Sequence, residues 1–234
     1  MSKKFVLYTI PFAGGSSFSY ASWKKYLSPD IELVNLDYSG HGKRIGEGLI
    51  SNFDDVVSDI LIQIKNSVNN HKFLIYGHSM GGMVAYYVSH ILQEKFHIIP
   101  EILFIGACPS PNNFSRHRKK YTYDEIVNQM FDDNRITSEI IQNEEFNKQI
   151  YPIIENDYNM LCRQFDTFFD DMLMIRSVCI YGQHDDTVDY NKVREWSKYI
   201  LKSKYCSVDD GHYFNEKSAK AVCNIINSVV SREL

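Results

Sequence analysis

The stretch Gly77-His78-Ser79-Met80-Gly81, with Gly82 behind it, constrains this chain more than any other part of the sequence. An apolar run at residues 73–76 leads into it, and the helical spacing of Met83, Val84, Tyr87, Val88, Ile91 and Leu92 leads out. Gly-x-Ser-x-Gly in that setting is a sharp strand-to-helix turn that lifts a serine hydroxyl off the end of a sheet. Glycines on both sides make room where a Cβ would clash, and the helix N-terminus aims its partial positive charge at the serine. A glycine-rich turn with a capping serine would leave the same letters. A P-loop is excluded, because no Gly-Lys-Ser/Thr follows.

The rest of the chain is patterned to carry such a turn. Further short strands are expected at 5–10, 31–36, 102–105, 178–181 and 204–208, several of them apolar throughout, as strands covered on both faces are. Between them lie amphipathic helices. One carries Phe53, Val56, Val57, Ile60, Leu61, Ile64 and Val68, with Ser51 as its expected cap, and another carries Val222, Ile225, Ile226 and Val229. Alternating strands and helices imply an α/β fold with a doubly wound, mainly parallel sheet. One stretch breaks the rule. From about 114 to 174 no strand is convincing, and Tyr123, Ile126, Val127 and Met130 show helical spacing. Some sixty residues is too long for a bare loop, so we expect a helical lid insertion at 115–172 on a core made of 1–114 and 173–234.

Composition narrows the function classes. With 234 residues, 44% of them hydrophobic and 23% charged, the chain suits one ordinary α/β domain rather than a disordered or fibrous protein. A net charge of −4 argues against a general nucleic-acid binder. The N-terminal apolar run is too short for a membrane helix and leads into glycines rather than a cleavage site, so neither a signal peptide nor a membrane span is expected. Five cysteines without a CxxC pair read as reduced, mostly buried thiols of a cytoplasmic protein.

A serine nucleophile needs a base, and the base needs an orienting acid. In a sheet of this kind the acid and then the histidine each follow a strand. After 178–181 comes Gly182-Gln183-His184-Asp185-Asp186-Thr187-Val188, in which either Asp185 or Asp186 could be the acid; the spacing favours Asp185. After 204–208 comes Asp209-Asp210-Gly211-His212-Tyr213-Phe214, which makes His212 the candidate base. Of the other histidines, His78 is expected to pack, His41 and His184 could line the site, and His71, His90, His97 and His117 read as surface residues. Backbone donors for a developing oxyanion are expected from the N–H of Met80 and from the loop Pro11-Phe12-Ala13-Gly14-Gly15-Ser16, with Ala13 as the donor there. Phe165, Phe168, Phe169 and Met172 are candidates for an acyl-pocket wall, although aromatics at helical spacing can equally be core. No cofactor or metal is called for.

Pro-Phe-Ala-Gly-Gly-Ser, Gly-His-Ser-Met-Gly-Gly, Gly-x-x-Asp-x-x-Val and Gly-His-Tyr-Phe, in that order over nearly the whole chain, resemble the type II thioesterases, the stand-alone α/β-hydrolases that accompany nonribosomal peptide and polyketide synthases. Glu155-Asn156-Asp157-Tyr158 is similar to that family's Asp-Tyr segment. The resemblance implies hydrolysis of acyl thioesters from the phosphopantetheine arm of acyl or peptidyl carrier proteins, to edit stalled or misprimed groups. It implies Ser79, Asp185 and His212 as the triad, Ala13 and Met80 as the oxyanion hole, and Phe12 beside the substrate. A small-molecule carboxylesterase, an acyl-CoA hydrolase and a catalytically idle synthase partner are the alternatives. The family's Pro-Gly-Arg-x-x-Arg segment is here Ser39-Gly40-His41-Gly42-Lys43-Arg44, with the proline and first arginine replaced. Carrier proteins of this kind are generally acidic, so a local basic patch must steer them; Arg116, Arg118, Lys119 and Lys120 form the densest one. A monomer without nucleic-acid or membrane partners is expected.

Overall fold

The computed structural model describes residues 4–68, 71–113, 120–133, 135–162 and 171–232. Six strands run parallel in one sheet: β1 (Phe5–Ile10), β2 (Ile31–Asn35), β3 (Lys72–His78), β4 (Ile102–Gly106), β5 (Leu173–Gly182) and β6 (Ile200–Val208), in the order β2-β1-β3-β4-β5-β6. Side chains alternate between two apolar layers, as the two-residue period of a strand requires. Tyr8, Ile10, Phe73, Ile75, Leu103 and Ile105 face one layer. Phe5, Leu7, Leu74, Tyr76, Ile102 and Phe104 face the other.

The first layer is closed by α1 (Phe53–Ser67) and α2 (Met80–Phe96), the second by α7 (Glu216–Val230) and a 3₁₀ segment at Ser17–Lys25. α1 starts one residue later than the sequence suggests. Asn52, not Ser51, is the cap, and its side chain accepts from Asp55 N–H. α2 is buried nearly all round, which corrects one expectation: His90 is fully buried, and its Nε2 donates to the Asp171 carbonyl at 2.9 Å. β5 and β6 begin earlier than their apolar runs do. Met174 and Arg176 point outward in β5, and edge strand β6 is largely exposed, so neither start reads as apolar. α6 (Tyr190–Arg194) links the two.

Between β4 and β5 the described residues hold helices and no strand: α3 (Tyr123–Asp132), α4 (Ser138–Ile141), a π turn at Phe146–Ile150, and α5 (Tyr151–Leu161). Thr122 and Glu125 form a reciprocal capping box at the start of α3. Ile126, Val127, Met130, Ile154 and Met160 are buried toward the core. Phe165, Phe168, Phe169, Arg116, His117, Arg118 and Lys119 lie outside the described residues. Lys120 is exposed, and Met172 is 37% exposed. Among the described residues no helix is long and apolar enough to cross a membrane. Four of the five cysteines are buried and Cys206 is half-buried, all as free thiols.

The β3–α2 junction is the tightest point. A Cβ on Gly77 would run into the carbonyl of Gly81, and one on Gly81 would run into the carbonyls of Ile10 and Pro11. Gly77→Ala should therefore cost about 1–3 kcal/mol, as overpacking does, and lower the Tm by about 2–12 °C for a chain of this size. Gly46→Ala, with nothing within 4 Å of the added methyl, should leave the Tm within about 2 °C. Thermal unfolding of the pair checks this.

Candidate active site

Ser79 sits between β3 and α2 with φ 51° and ψ −116°, a conformation that a side-chain-bearing residue keeps only when its surroundings impose it. They do so here. Ser79 N–H donates to the Gly106 carbonyl at 2.8 Å, and the Ser79 carbonyl accepts from Gly82 N–H at 2.9 Å. The hydroxyl is thereby aimed past the carboxyl end of the sheet, where the loops after β5 and β6 also arrive.

His212 Nε2 lies 2.9 Å from Ser79 Oγ, and His212 Nδ1 lies 2.8 Å from Asp185 Oδ2. The other oxygen of Asp185 accepts from the Thr187 and Val188 N–H groups at 2.8 and 2.7 Å. That leaves the carboxylate fully engaged, with its side chain 0% exposed. It can only accept, so Nδ1 carries the proton and Nε2 is left free to take one from the serine. Asp186, the alternative acid, is exposed.

The floor beneath His212 is His78. Its Nε2–H donates to the His212 carbonyl at 2.9 Å, and Tyr76 Oη donates to its Nδ1 at 3.0 Å. Burial, and then the neighbouring His212, push its pKa down to about 3, so His78 is a neutral strut and does not compete as a base. Phe12 shares this layer. Its ring stands edge-on to Tyr213 and His78 at 4.8 and 5.8 Å, and the cavity wall is made by other residues. His184 is also away from the cavity: it is largely exposed and pairs with Asp209 at 3.1 Å.

Above Ser79 is a cavity of about 100 Å³. Ala13, Ser79 and His212 line its base, and Tyr121, Gln129, Asp133, Tyr158 and Leu161, all between β4 and β5, line its upper wall. Burial raises the pKa of Asp133. Met80 N–H is the first donor of α2 and has no partner within the helix. Ala13 N–H has no hydrogen-bond partner among the described residues. The sequence offered no sign of Arg135, whose guanidinium reaches Tyr158, Tyr213 and the Ala13 carbonyl at 3.3, 3.1 and 3.2 Å. It also missed the contact of Asp157 with the Gly14 N–H, at 2.7 Å.

The sequence profile of the thioesterase domain family matches residues 5–229. The chain belongs to this family. Among its relatives, the thioesterase PikA5 of Streptomyces venezuelae is 22% identical over 94% of this chain and 79% of its own length. The crystal structure of ClbQ from the colibactin NRPS/PKS pathway superposes with a TM-score of 0.87, at 24% identity over 98% of both chains. YbtT, a type II thioesterase from the yersiniabactin NRPS/PKS biosynthetic pathway, superposes at 0.83, with 21% identity over 96% of this chain and 92% of its own. The thioesterase thus has an α/β-hydrolase fold.

Asp185→Asn should cost the thioesterase on the order of 10⁴ in kcat, because the amide would hold His212 in the wrong tautomer. Asp186→Asn should cost less than about tenfold. Steady-state turnover of a thioester by the two variants checks this; reversed losses would move the acid by one residue.

Proposed function

We propose that this thioesterase hydrolyses acyl groups from the phosphopantetheine arm of carrier proteins in a nonribosomal peptide or polyketide synthase, clearing stalled or misprimed chains. The observation that carries this reading is the Ser79–His212–Asp185 relay at the base of a cavity roofed by helical residues. The kinship with pathway thioesterases supports the substrate class.

The chemistry follows from the geometry. His212 Nε2 takes the proton of Ser79 as Oγ attacks the thioester carbonyl. The Met80 and Ala13 N–H groups stabilise the oxyanion. As the tetrahedral intermediate collapses, the C–S bond breaks and His212 returns the proton to the leaving thiolate. Water, deprotonated by His212, then attacks the acyl-serine, releasing a carboxylic acid and restoring Ser79. Each proton lost is regained, and the acyl carbon stays at the carboxyl oxidation level throughout, so the cycle needs no redox partner.

One acyl group presented on a carrier protein, on CoA and as an oxygen ester tests the proposal. kcat/KM should be highest on the carrier protein and lowest for the oxygen ester, and Ser79→Ala should lose most of the rate on all three. A preference for the oxygen ester would instead favour a carboxylesterase, and equal rates on CoA and carrier would favour an acyl-CoA hydrolase.

A further inference from the structure

The loop carrying Ala13 is held from outside the sheet. The Ala13 carbonyl and the Gly14 N–H belong to one peptide unit. Arg135 donates to its oxygen at 3.2 Å, and Asp157 Oδ2 accepts from its N–H at 2.7 Å. The preceding unit is also fixed, since the Phe12 carbonyl accepts from Gly15 N–H at 2.8 Å. Gly14 has φ 72°, and a Cβ there would run into Ile154 of α5 at 2.6 Å. Arg135 and Asp157, both contributed by the segment between β4 and β5, thus hold the peptide unit directly after the one that carries the Ala13 N–H, and so restrict how the Ala13 backbone can turn.

Asp157 is in turn held by His41, from the loop after β2. His41 Nε2 lies 2.9 Å from Asp157 Oδ2, and Nδ1 lies 3.1 Å from the Ser39 carbonyl, with both side chains no more than 3% exposed. A carboxylate and a carbonyl can only accept, and only the doubly protonated imidazolium can donate to both. The other groups facing this ring agree. Asp37, on the ring's own loop, adds negative charge, and the Tyr38 ring stands edge-on at 5.4 Å. Arg135 lies across the Ala13 peptide. Burial alone would lower the proton affinity of His41, but the Asp157 hydrogen bond and charge, the Ser39 carbonyl and Asp37 together raise its pKa above the ordinary value.

We propose that Asp157, anchored by the His41 imidazolium, is a positioning residue that holds the Ala13–Gly14 peptide so that the Ala13 N–H points at the oxyanion. Half of the oxyanion hole is then completed by the helical segment over the site, and it is complete only while His41 is charged. Because His41 gains its proton affinity on folding, the clamp is fully present below about pH 6.5. It weakens as pH rises through the higher folded pKa. Neutral His41 leaves either Asp157 or Ser39 without its donor.

This rests on Ser79 being the nucleophile, and the test separates the two. Turnover of an acyl-pantetheine thioester is measured from about pH 6 to 10 in wild type, Asp157→Asn, His41→Gln and Ser79→Ala, with Tm recorded alongside. A donor misplaced by about 1 Å costs on the order of 10²-fold. Asp157→Asn should therefore lower kcat by about 10–100-fold and change KM by less than about threefold, because the oxyanion exists only in the transition state. Wild-type kcat should fall on the alkaline side. His41→Gln, whose amide donates without titrating, should lose that alkaline limb. Wild-type kcat in Asp157→Asn, or an unchanged alkaline limb in His41→Gln, overturns the positioning role. Turnover by Ser79→Ala overturns the nucleophile instead. If Asp157→Asn does not fold, the His41→Gln profile decides alone.

Discussion

The left-handed backbone of Ser79 is the constraint on which the rest depends. At φ 51° and ψ −116° it stores strain of about 1–3 kcal/mol, and the core is arranged to keep it. Gly106 and Gly82 bond its peptide groups. Gly77 and Gly81 let β3, α2 and the end of β1 meet with no room for a side chain. The same contact that packs Gly81 against the Ile10 and Pro11 carbonyls brings the loop after β1 alongside the helix N-terminus. Both sources of the proposed oxyanion donors are thus placed by one packing event.

The remaining groups come from separate strand ends, and each is braced before it reaches the site. Asp185 is gripped by two backbone donors of its own loop. His212 is held at its carbonyl by the neutral His78. The Ala13–Gly14 peptide is gripped at both ends by Arg135 and Asp157. Parallel strands deliver these loops to one edge, and buried hydrogen bonds then fix the side chains within that edge. The helices between β4 and β5 both wall the cavity and brace the loop beneath it. The wall of the cavity and the geometry of the loop beneath it are therefore physically linked.

Much of this could be read from the sequence, and the exceptions share a cause. The strand cores, α1, α7 and the elbow announce themselves through period and through glycines that have no substitute. Asp185 and His212 are legible because strand order fixes where their loops must emerge. The early halves of β5 and β6 were hidden by outward Arg176, Met174 and Lys202, since an edge or half-covered strand loses the apolar run that a buried one shows. His90 looked like a surface residue because the burial of α2 on all sides is a tertiary fact. Arg135, Asp157 and His41 are 22 to more than 100 residues apart, and no local pattern joins them. The Ser39-Gly40-His41 segment stands out in the sequence as a departure from the family's proline and first arginine and as a histidine that could line the site, and its contact with Asp157 gives that departure a structural partner.

The central claim is that Ser79 Oγ carries the acyl group between thiol release and hydrolysis. Rapid acid quench after mixing with an acyl-pantetheine thioester, followed by intact-protein and peptide mass spectrometry, tests it directly. The account predicts a transient mass increase equal to the acyl group, located on the peptide containing Ser79 and absent from Ser79→Ala. Undiminished turnover by Ser79→Ala, or an adduct on another residue, would contradict it.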